Sequence, residues 1–458
     1  MYKKLLVLFI HLFLFLICLV TDSSFITSYG SFLYALQLFI FVIVVYRGKH
    51  NMTIFLSPSF LTITYILLNF IFGHYAVVNA LGLDRRYFLA YQSYTSINFI
   101  TFYFLCCNLL LFLTIPFEKI TKLYSSEKIE RKIEKSKSTT FVHLSILLLV
   151  LFVLGRLTID FSFLGGEGSF NYSFELTTAM AIVLIVRNQS LKNKLLIYGV
   201  LLAIFVTNHF DSKREILFVL IFLVLFEAIR SRLVLRLKIK TMIVSCFITV
   251  IAVMIIVLSS ILRGYGNYDV ESPIEALGYV DDYLTSDFAK DALVMNFEVT
   301  PVYGNSTNAV DYVYNNKVNL LYGSTFYKLF FLPIPRSVYP EKPESMVAIY
   351  TSKFAPSFRA IGGSFPILIY SEVFWNFHIF GLIFLGVIFY LINRMYTYIL
   401  DGILNDKINT TMLLYLFLYS TLIQFVRGAG IEMWLVYALI SFPLMIIYVS
   451  IFFKRRLR

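Results

Sequence analysis

A polar, tyrosine-rich stretch from Arg263 to Gly363 interrupts a chain that is otherwise a succession of apolar runs long enough to cross a hydrocarbon core. Apolar residues make up 59% of the sequence and charged residues only 14%, a balance unlike that of soluble domains. The chain therefore reads as an all-α polytopic membrane protein. Its four cysteines, Cys18, Cys106, Cys107 and Cys246, all fall inside apolar runs, and there is no C-x-x-C pair. Neither a disulfide framework nor a structural metal site is expected from them.

The apolar runs give about twelve crossings. They cover 5–21, 31–46, 54–73, 94–115, 141–160, 174–186, 194–208, 216–229, 241–262, 366–393, 411–426 and 431–453. The sixth to eighth are short, and a re-entrant pair there would lower the count by two. Lys3-Lys4 followed by Leu5 to Val20 has the charged and apolar parts of a signal peptide without a small-residue cleavage site, so it is read as a retained first helix. Basic residues cluster at Lys3-Lys4, Arg47 to Lys49, Lys119 to Lys137, Arg187 to Lys194, Arg230 to Lys240 and Lys454 to Arg458, all on one side if each run crosses once. The positive-inside rule makes that side cytoplasmic and puts both termini there. The formal charge of +12 is thus a topology signal. Nucleic acid is not expected as a partner, because the Lys119 to Lys137 run is mixed with Glu127, Glu130 and Glu134, as in a solvated helical linker. Three regions follow: nine membrane helices over 1–262, one large extracytoplasmic loop over 263–365, and three membrane helices over 366–458.

Between Arg263 and Gly363 eleven acidic residues stand against eight basic ones. Ser272-Pro273-Ile274-Glu275 is a capping box with proline at the first helical position, and Ile274, Leu277, Val280, Tyr283 and Leu284 then recur at helical spacing. The loop is therefore expected to fold into short helices. Phe326 to Pro333 is apolar but too short to cross, which suits an interfacial dip under a loop lying on the membrane like a lid. A carrier made of two repeats would show two similar halves, and none is visible.

Charged residues gather instead at the outer ends of the runs. They include Lys213, Arg214, Arg263, Arg336, Arg359, Arg427 and Glu432. One such Arg ordinarily snorkels to headgroups. Several at one level match the phosphate oxygens of a lipid-borne pyrophosphate.

The string LPIPRSVYPEKP (Leu332 to Pro343) is preceded by YGSTFYKLF (Tyr322 to Phe330) and followed by FRAIGGSFPILIYSEVFWNFHIFG (Phe358 to Gly381). Together they resemble the P-R-x-x-W-P-x-K-P and G-G-S … E-x-x-x-N-F-G-x-x-G elements of the O-antigen and capsular polysaccharide repeat-unit polymerases, the Wzy type. Tyr339 stands where that family often has Trp, and His378 where it has Gly. The resemblance implies a fold similar to the lipid-dependent class C glycosyltransferases, in a bacterial cytoplasmic (inner) membrane. It implies an enzyme that joins undecaprenyl-pyrophosphate-linked oligosaccharide repeat units, the donor and acceptor, at the outer face of that membrane. Membrane lipids, a chain-length regulator and a flippase are the other partners it implies. No nucleotide sugar, cofactor or metal is called for, and the adjacent pair Asp281-Asp282 suits a solvated helical face better than a D-x-D site.

In such a transfer negative charge builds on the departing pyrophosphate, and Arg263, Arg336 and Arg359 are the candidates for stabilising it. Arg214, Arg427, Lys213 and Lys342 are candidates for substrate binding, the first two by joining that group or by holding the acceptor's pyrophosphate. Glu372, in the E-x-x-x-N element, is the candidate base for the acceptor hydroxyl; the competing reading makes it a structural partner of an outer Arg. Asn376, one turn later on the same face, would orient that carboxylate or a sugar hydroxyl. His209 is a second candidate base, while His378 is expected to pack in the bundle. Two further functions stay open: an O-antigen ligase, which shares the layout of a large outer loop, and a lipid-linked oligosaccharide flippase. A non-catalytic scaffold is the third.

Overall fold

The computed structural model describes residues 2–46, 58–81, 96–116, 169–186, 189–208, 272–286, 299–331, 338–404, 409–422 and 430–448, with a few shorter stretches and single positions. Every regular element among them is helical. Three helices are long and apolar enough to cross a membrane, Ser23–Val44, Leu61–Val78 and Ile369–Ile403, and four shorter apolar helices cover Val7–Val20, Ile97–Leu113, Thr410–Ser420 and Trp434–Tyr448. The protein is thus a helical membrane-type chain. The expected crossing over 141–160 and, apart from Leu223, that over 216–229 lie outside the described residues, and 241–262 is described only at scattered positions.

The chain divides into two compact units. The first comprises Met1–Pro116, Leu284–Arg394 and Leu422–Trp434. Its apolar helices are α1 (Tyr2–Val20), α2 (Ser23–Tyr46), α3 (Pro58–Ile66) continued through a π turn (Leu67–Phe72) into α4 (Gly73–Val78), and α5 (Ile97–Leu113). Aromatic side chains fill the space between them. The Phe41 and Phe112 rings stack at 4.0 Å, and Phe70 stacks on Tyr370 at 5.4 Å while meeting Phe104 edge-on at 5.3 Å. Such pairs add to the burial of large rings and fix their relative orientation.

Against this apolar group packs a helix of quite different composition, α10 (Val299–Tyr314, VTPVYGNSTNAVDYVY). It buries Thr300, Asn305, Ser306, Thr307, Asn308 and Asp311. Burying unpaired polar groups would be costly, and here they are paired. The Thr300 hydroxyl donates to the Leu81 carbonyl at 2.8 Å, and Asn308 Nδ2 donates to the Tyr350 hydroxyl at 3.1 Å. That hydroxyl donates in turn to Asn305 Oδ1 at 3.2 Å. Burial pushes the Tyr350 phenol above its usual range, which keeps the proton it donates. Asp311 accepts from Ser96 and from Asn315 Nδ2 at 3.0 Å, with Lys317 Nζ at 3.4 Å. Within the 263–365 loop of the sequence reading, 299–314 forms this helix and packs against α4, α5 and the π turn.

Following α10 are α11 (Ser324–Tyr327) with a 3-10 turn (Lys328–Phe331), α12 (Met346–Phe354), α13 (Pro356–Ala360), α14 (Ile369–Phe377) and α15 (Gly381–Leu404). The expected single crossing over 366–393 is broken between α14 and α15. A helix over all 35 residues of Ile369–Ile403 would be roughly 50 Å long, well beyond a hydrocarbon core of about 30 Å. The break falls at His378, whose φ of 52° and ψ of −142° lie in a region that favours glycine. Gly381 then lets the first turn of α15 pass close to α14, since a Cβ there would stand 2.6 Å from the Val373 carbonyl oxygen. Position 378 therefore carries a backbone demand, where the sequence alone suggests only helix packing.

The second unit comprises Phe117–Tyr283, Met395–Thr421 and Leu435–Arg458. In it α6 (Ser169–Val186) packs on α7 (Leu191–Asn208), and the Thr178 and Tyr448 hydroxyls meet at 2.5 Å. The N-cap half of the capping box is present: Ser272 caps α8 (Pro273–Gly278), accepting from the Glu275 N–H at 3.3 Å, with Pro273 at the first position. α9 follows over Val280–Thr285 and α16 over Thr410–Ser420, while α17 (Gly430–Tyr448) belongs to the first unit up to Trp434 and to the second from Leu435.

The break can be tested by substitution. His378→Ala keeps the unfavourable φ and loses the contact of the imidazole with Phe374, whereas His378→Gly relieves the φ. The glycine variant is expected to unfold at higher temperature than the alanine variant, by the equivalent of about 1 kcal/mol or more.

Candidate functional site

The start of α14 is held from three sides, and that is what positions Glu372 in its first turn. The stretch leading into it donates one N–H after another: Phe365 to the Thr351 hydroxyl at 2.8 Å, Ile367 to the Gly428 carbonyl at 3.0 Å, and Leu368 to the Ser306 hydroxyl at 2.8 Å. Ser371 closes the clamp by donating to the Ser306 carbonyl at 2.9 Å. Gly428 is required there, because its φ is 72° and a Cβ would come 2.9 Å from the Ile367 nitrogen. Of these, the Leu368 bond satisfies one of the donors that a helix N-terminus leaves open.

The other wall is the segment carrying α11. It is fastened to α14 by a reciprocal pair, the Leu321 N–H to the Trp375 carbonyl and the Trp375 Nε1–H to the Asn319 carbonyl, both at 3.0 Å. Gly323, with φ 85°, turns the chain into α11 against the Phe377 ring. Phe326 then seats edge-on against Phe384 at 4.6 Å. With this register Thr325 and Lys328, three residues apart, fall on one face of the segment, toward α14.

Glu372 is only 6% exposed. Thr325, Lys328 and Glu432 stand near its carboxyl group. Lys328 is itself buried and forms an ion pair with Glu432. Asn376 donates through Nδ2 to the Thr325 hydroxyl at 2.9 Å and to the Glu372 main-chain carbonyl at 2.8 Å. Its Oδ1 is buried and has no partner among the described residues. Two carboxylates, one ammonium group, a hydroxyl and an amide are thus gathered in a largely buried place, with Glu432 at its part-exposed edge. Such a group can hold a hydroxyl-bearing ligand and take a proton from it.

Of the residues chosen from sequence, Glu372 and Asn376 stand together in this group. Arg359 lies exposed on α13, and Lys342 is half-buried with its Nζ donating to the Ile334 carbonyl at 3.1 Å. Arg263, Arg336, Arg214, Arg427, Lys213 and His209 lie outside the described residues. His378 makes the bend and packs its ring on Phe374 at 4.6 Å. The cation beside Glu372 among the described residues is Lys328, where the structural reading of that carboxylate had anticipated an arginine. Thr325 and Lys328 were missed as site residues although both lie in the quoted YGSTFYKLF string; their three-residue spacing was the available signal. Glu432 had been noted only as an outer charge.

A second polar chain runs through the same unit. Tyr370 donates to Asn108 Oδ1 at 3.0 Å, Asn108 Nδ2 to Gln37 Oε1 at 3.0 Å, and Gln37 Nε2 lies 3.0 Å from His11 Nε2. It joins α1, α2, α5 and α14, as polar contacts between membrane helices do. No group of three or more His, Cys, Asp or Glu suited to a metal occurs among the described residues. Comparison of the chain with protein-family models, with curated proteins and with solved structures finds no match.

The ion pair gives a stability test. Lys328→Met leaves Glu432 without its partner beside a second carboxylate and is expected to cost about 3 kcal/mol in thermal unfolding. Adding Glu432→Leu removes the stranded charge, so the double variant should recover most of that loss.

Proposed function

We propose that this chain is a lipid-carrier-dependent glycosyltransferase of the polysaccharide-polymerase type, with about twelve membrane crossings and both termini in the cytoplasm. It would join undecaprenyl-pyrophosphate-linked oligosaccharide repeat units into O-antigen or capsular polysaccharide at the outer face of a bacterial cytoplasmic membrane. The observation that carries the reading is a meeting of two strings that are separate in sequence. YGSTFYKLF contributes Thr325 and Lys328, the E-x-x-x-N element contributes Glu372 and Asn376, and the four side chains form one buried group. Both strings belong to the stretch that resembles the polymerases.

In this reading the acceptor hydroxyl attacks the anomeric carbon of the donor. A new carbon–oxygen bond forms there as the bond to the lipid pyrophosphate breaks. The hydroxyl proton passes to the Glu372 carboxylate, and the electron pair of the broken bond leaves with the pyrophosphate. Arg263, Arg336 and Arg359 are the proposed stabilisers of that leaving group, and Arg214, Arg427, Lys213 and Lys342 the proposed holders of substrate. His209 is retained as the alternative base.

Purified full-length protein supplied with lipid-linked repeat units should give a ladder of products with no other acceptor added. Glu372→Gln preserves size and hydrogen bonding but cannot take the proton, so it should slow the ladder by about a hundredfold or more. Products only when a lipid A core is added would favour a ligase, and transbilayer movement without any ladder would favour a flippase. A ladder of normal rate from the glutamine variant would remove Glu372 from the chemistry.

A further inference from the structure

The segment 322–331 is turned inside out by the standards of a surface facing water. Lys328, its one charged residue, is 6% exposed and paired with Glu432, while Phe330 is 80% exposed. Tyr327, its ring 6.4 Å from that of Phe330, is 55% exposed, and Tyr322, ahead of the turn at Gly323, is 82% exposed. These three are the exposed side chains of the segment, and all are aromatic. The spacing is the cause. Thr325 and Lys328 fall on the face toward α14, so Tyr327 and Phe330, likewise three residues apart, fall on another. Large apolar side chains grouped on a surface mark a place that something other than water covers.

The neighbouring helix indicates what covers them. Phe380, just before α15, and Ile383, Val387 and Tyr390 within it are each more than half exposed, at the three- and four-residue spacing of one helix face. They lie in Ile369–Ile403, which is long and apolar enough to cross a membrane, and no charged residue occurs from 380 to 391. In a membrane such a stripe faces hydrocarbon. Phe384, beside the stripe, meets Phe326 of the segment 322–331 edge-on at 4.6 Å. The outward face of the segment thus adjoins the stripe of α15, with no charge between them.

From this continuity we propose that the Tyr327 and Phe330 face is a membrane contact, seated against lipid in the interfacial layer of the bilayer. The sequence suits 326–333 to an interfacial dip as a whole; the structure divides it, with Phe326 and Lys328 turned inward and Tyr327 and Phe330 toward lipid. Tyrosine and phenylalanine are at home at that depth, whereas a free ammonium is costly there and is here held on the protein side. The segment is then a wall one helix thick, about 10 Å, between lipid and the Lys328–Glu432 pair. This assignment holds whatever reaction the group around Glu372 performs.

A tryptophan on this face reports its surroundings. In phosphatidylcholine vesicles, purified full-length Phe330→Trp protein adds one indole to the buried Trp375 and Trp434, whose emission is removed by subtracting the parent. Lipid brominated near the top of its acyl chains should lower the added emission about twofold or more. Ser357→Trp supplies the comparison in water, since Ser357 is exposed on α13 between the exposed Lys353 and Arg359. Iodide should quench the indole of Phe330→Trp at least about threefold less than that of Ser357→Trp. Tyr327→Trp reports the same face should Phe330→Trp fail to fold. Iodide quenching equal to that of Ser357→Trp, with no effect of brominated lipid, would put the face in water and overturn the assignment. Protection from both quenchers would mean that protein covers it, a second copy of the chain for instance, and overturns it as well. The unaltered protein gives an independent answer. A diazirine carried on a lipid acyl chain should cross-link to 327–331, and cross-links on α15 with none there would also overturn the proposal.

Discussion

A helix as polar as α10 can sit inside an apolar bundle only if its side-chain donors and acceptors find partners at the moment of packing. This requirement organises the first unit. Ser306 serves the start of α14 through both its hydroxyl and its carbonyl, Asn305 reaches the Pro366 carbonyl at 3.1 Å, and Asn305 and Asn308 share the Tyr350 hydroxyl. Each bond is worth little net, but leaving its buried partner unmade costs more, so the set behaves as a specification of where α14 must lie. Glu372 occupies the first turn of the helix so specified. The site is therefore set by a polar network on its scaffold side and by fixed charge, Lys328 with Glu432, on the other.

Some of this was legible in the chain. Apolar runs announce membrane helices because length and composition suffice, and the capping box at Ser272 is a local pattern with local causes. The closeness of Glu372 and Asn376 also follows from a four-residue spacing on a helix. The burial of α10 does not. Read alone, VTPVYGNSTNAVDYVY has few of the large apolar residues that mark a buried face, and its partners at Leu81, Ser96, Tyr350 and Pro366 come from segments distant in sequence. The pairing of Lys328 with Glu432 is equally non-local. The break at His378 was hidden for a different reason, since the apolar character continues straight through it while the backbone does not.

Resemblance and geometry bear on different parts of the proposal. The quoted strings suggest a class of chemistry, whereas the group around Glu372 concerns how a proton could be handled. Much of the electrostatic partner set named from sequence, the outer arginines, falls outside the described residues. What the described residues add is a reason for three glycines, two inside the quoted strings and one that meets the start of α14. Gly323 supplies a left-handed turn, Gly362 has a φ of 84°, and Gly428 brings its carbonyl to the Ile367 N–H.

The π turn at Leu67–Phe72 has its own bearing on the bundle. A π turn accommodates one residue more than an α turn, which rotates everything after it by about 100° relative to an uninterrupted helix. Gly73 is thereby brought so near α10 that a Cβ would meet Tyr303 at 2.7 Å, and His74 comes to Ser31 at 2.8 Å. The azimuth of α4 is thus fixed by counting residues, and its contacts depend on the length of Leu67–Phe72 as well as on which side chains it carries. In this span an indel would disturb the helix interface more than most point substitutions could.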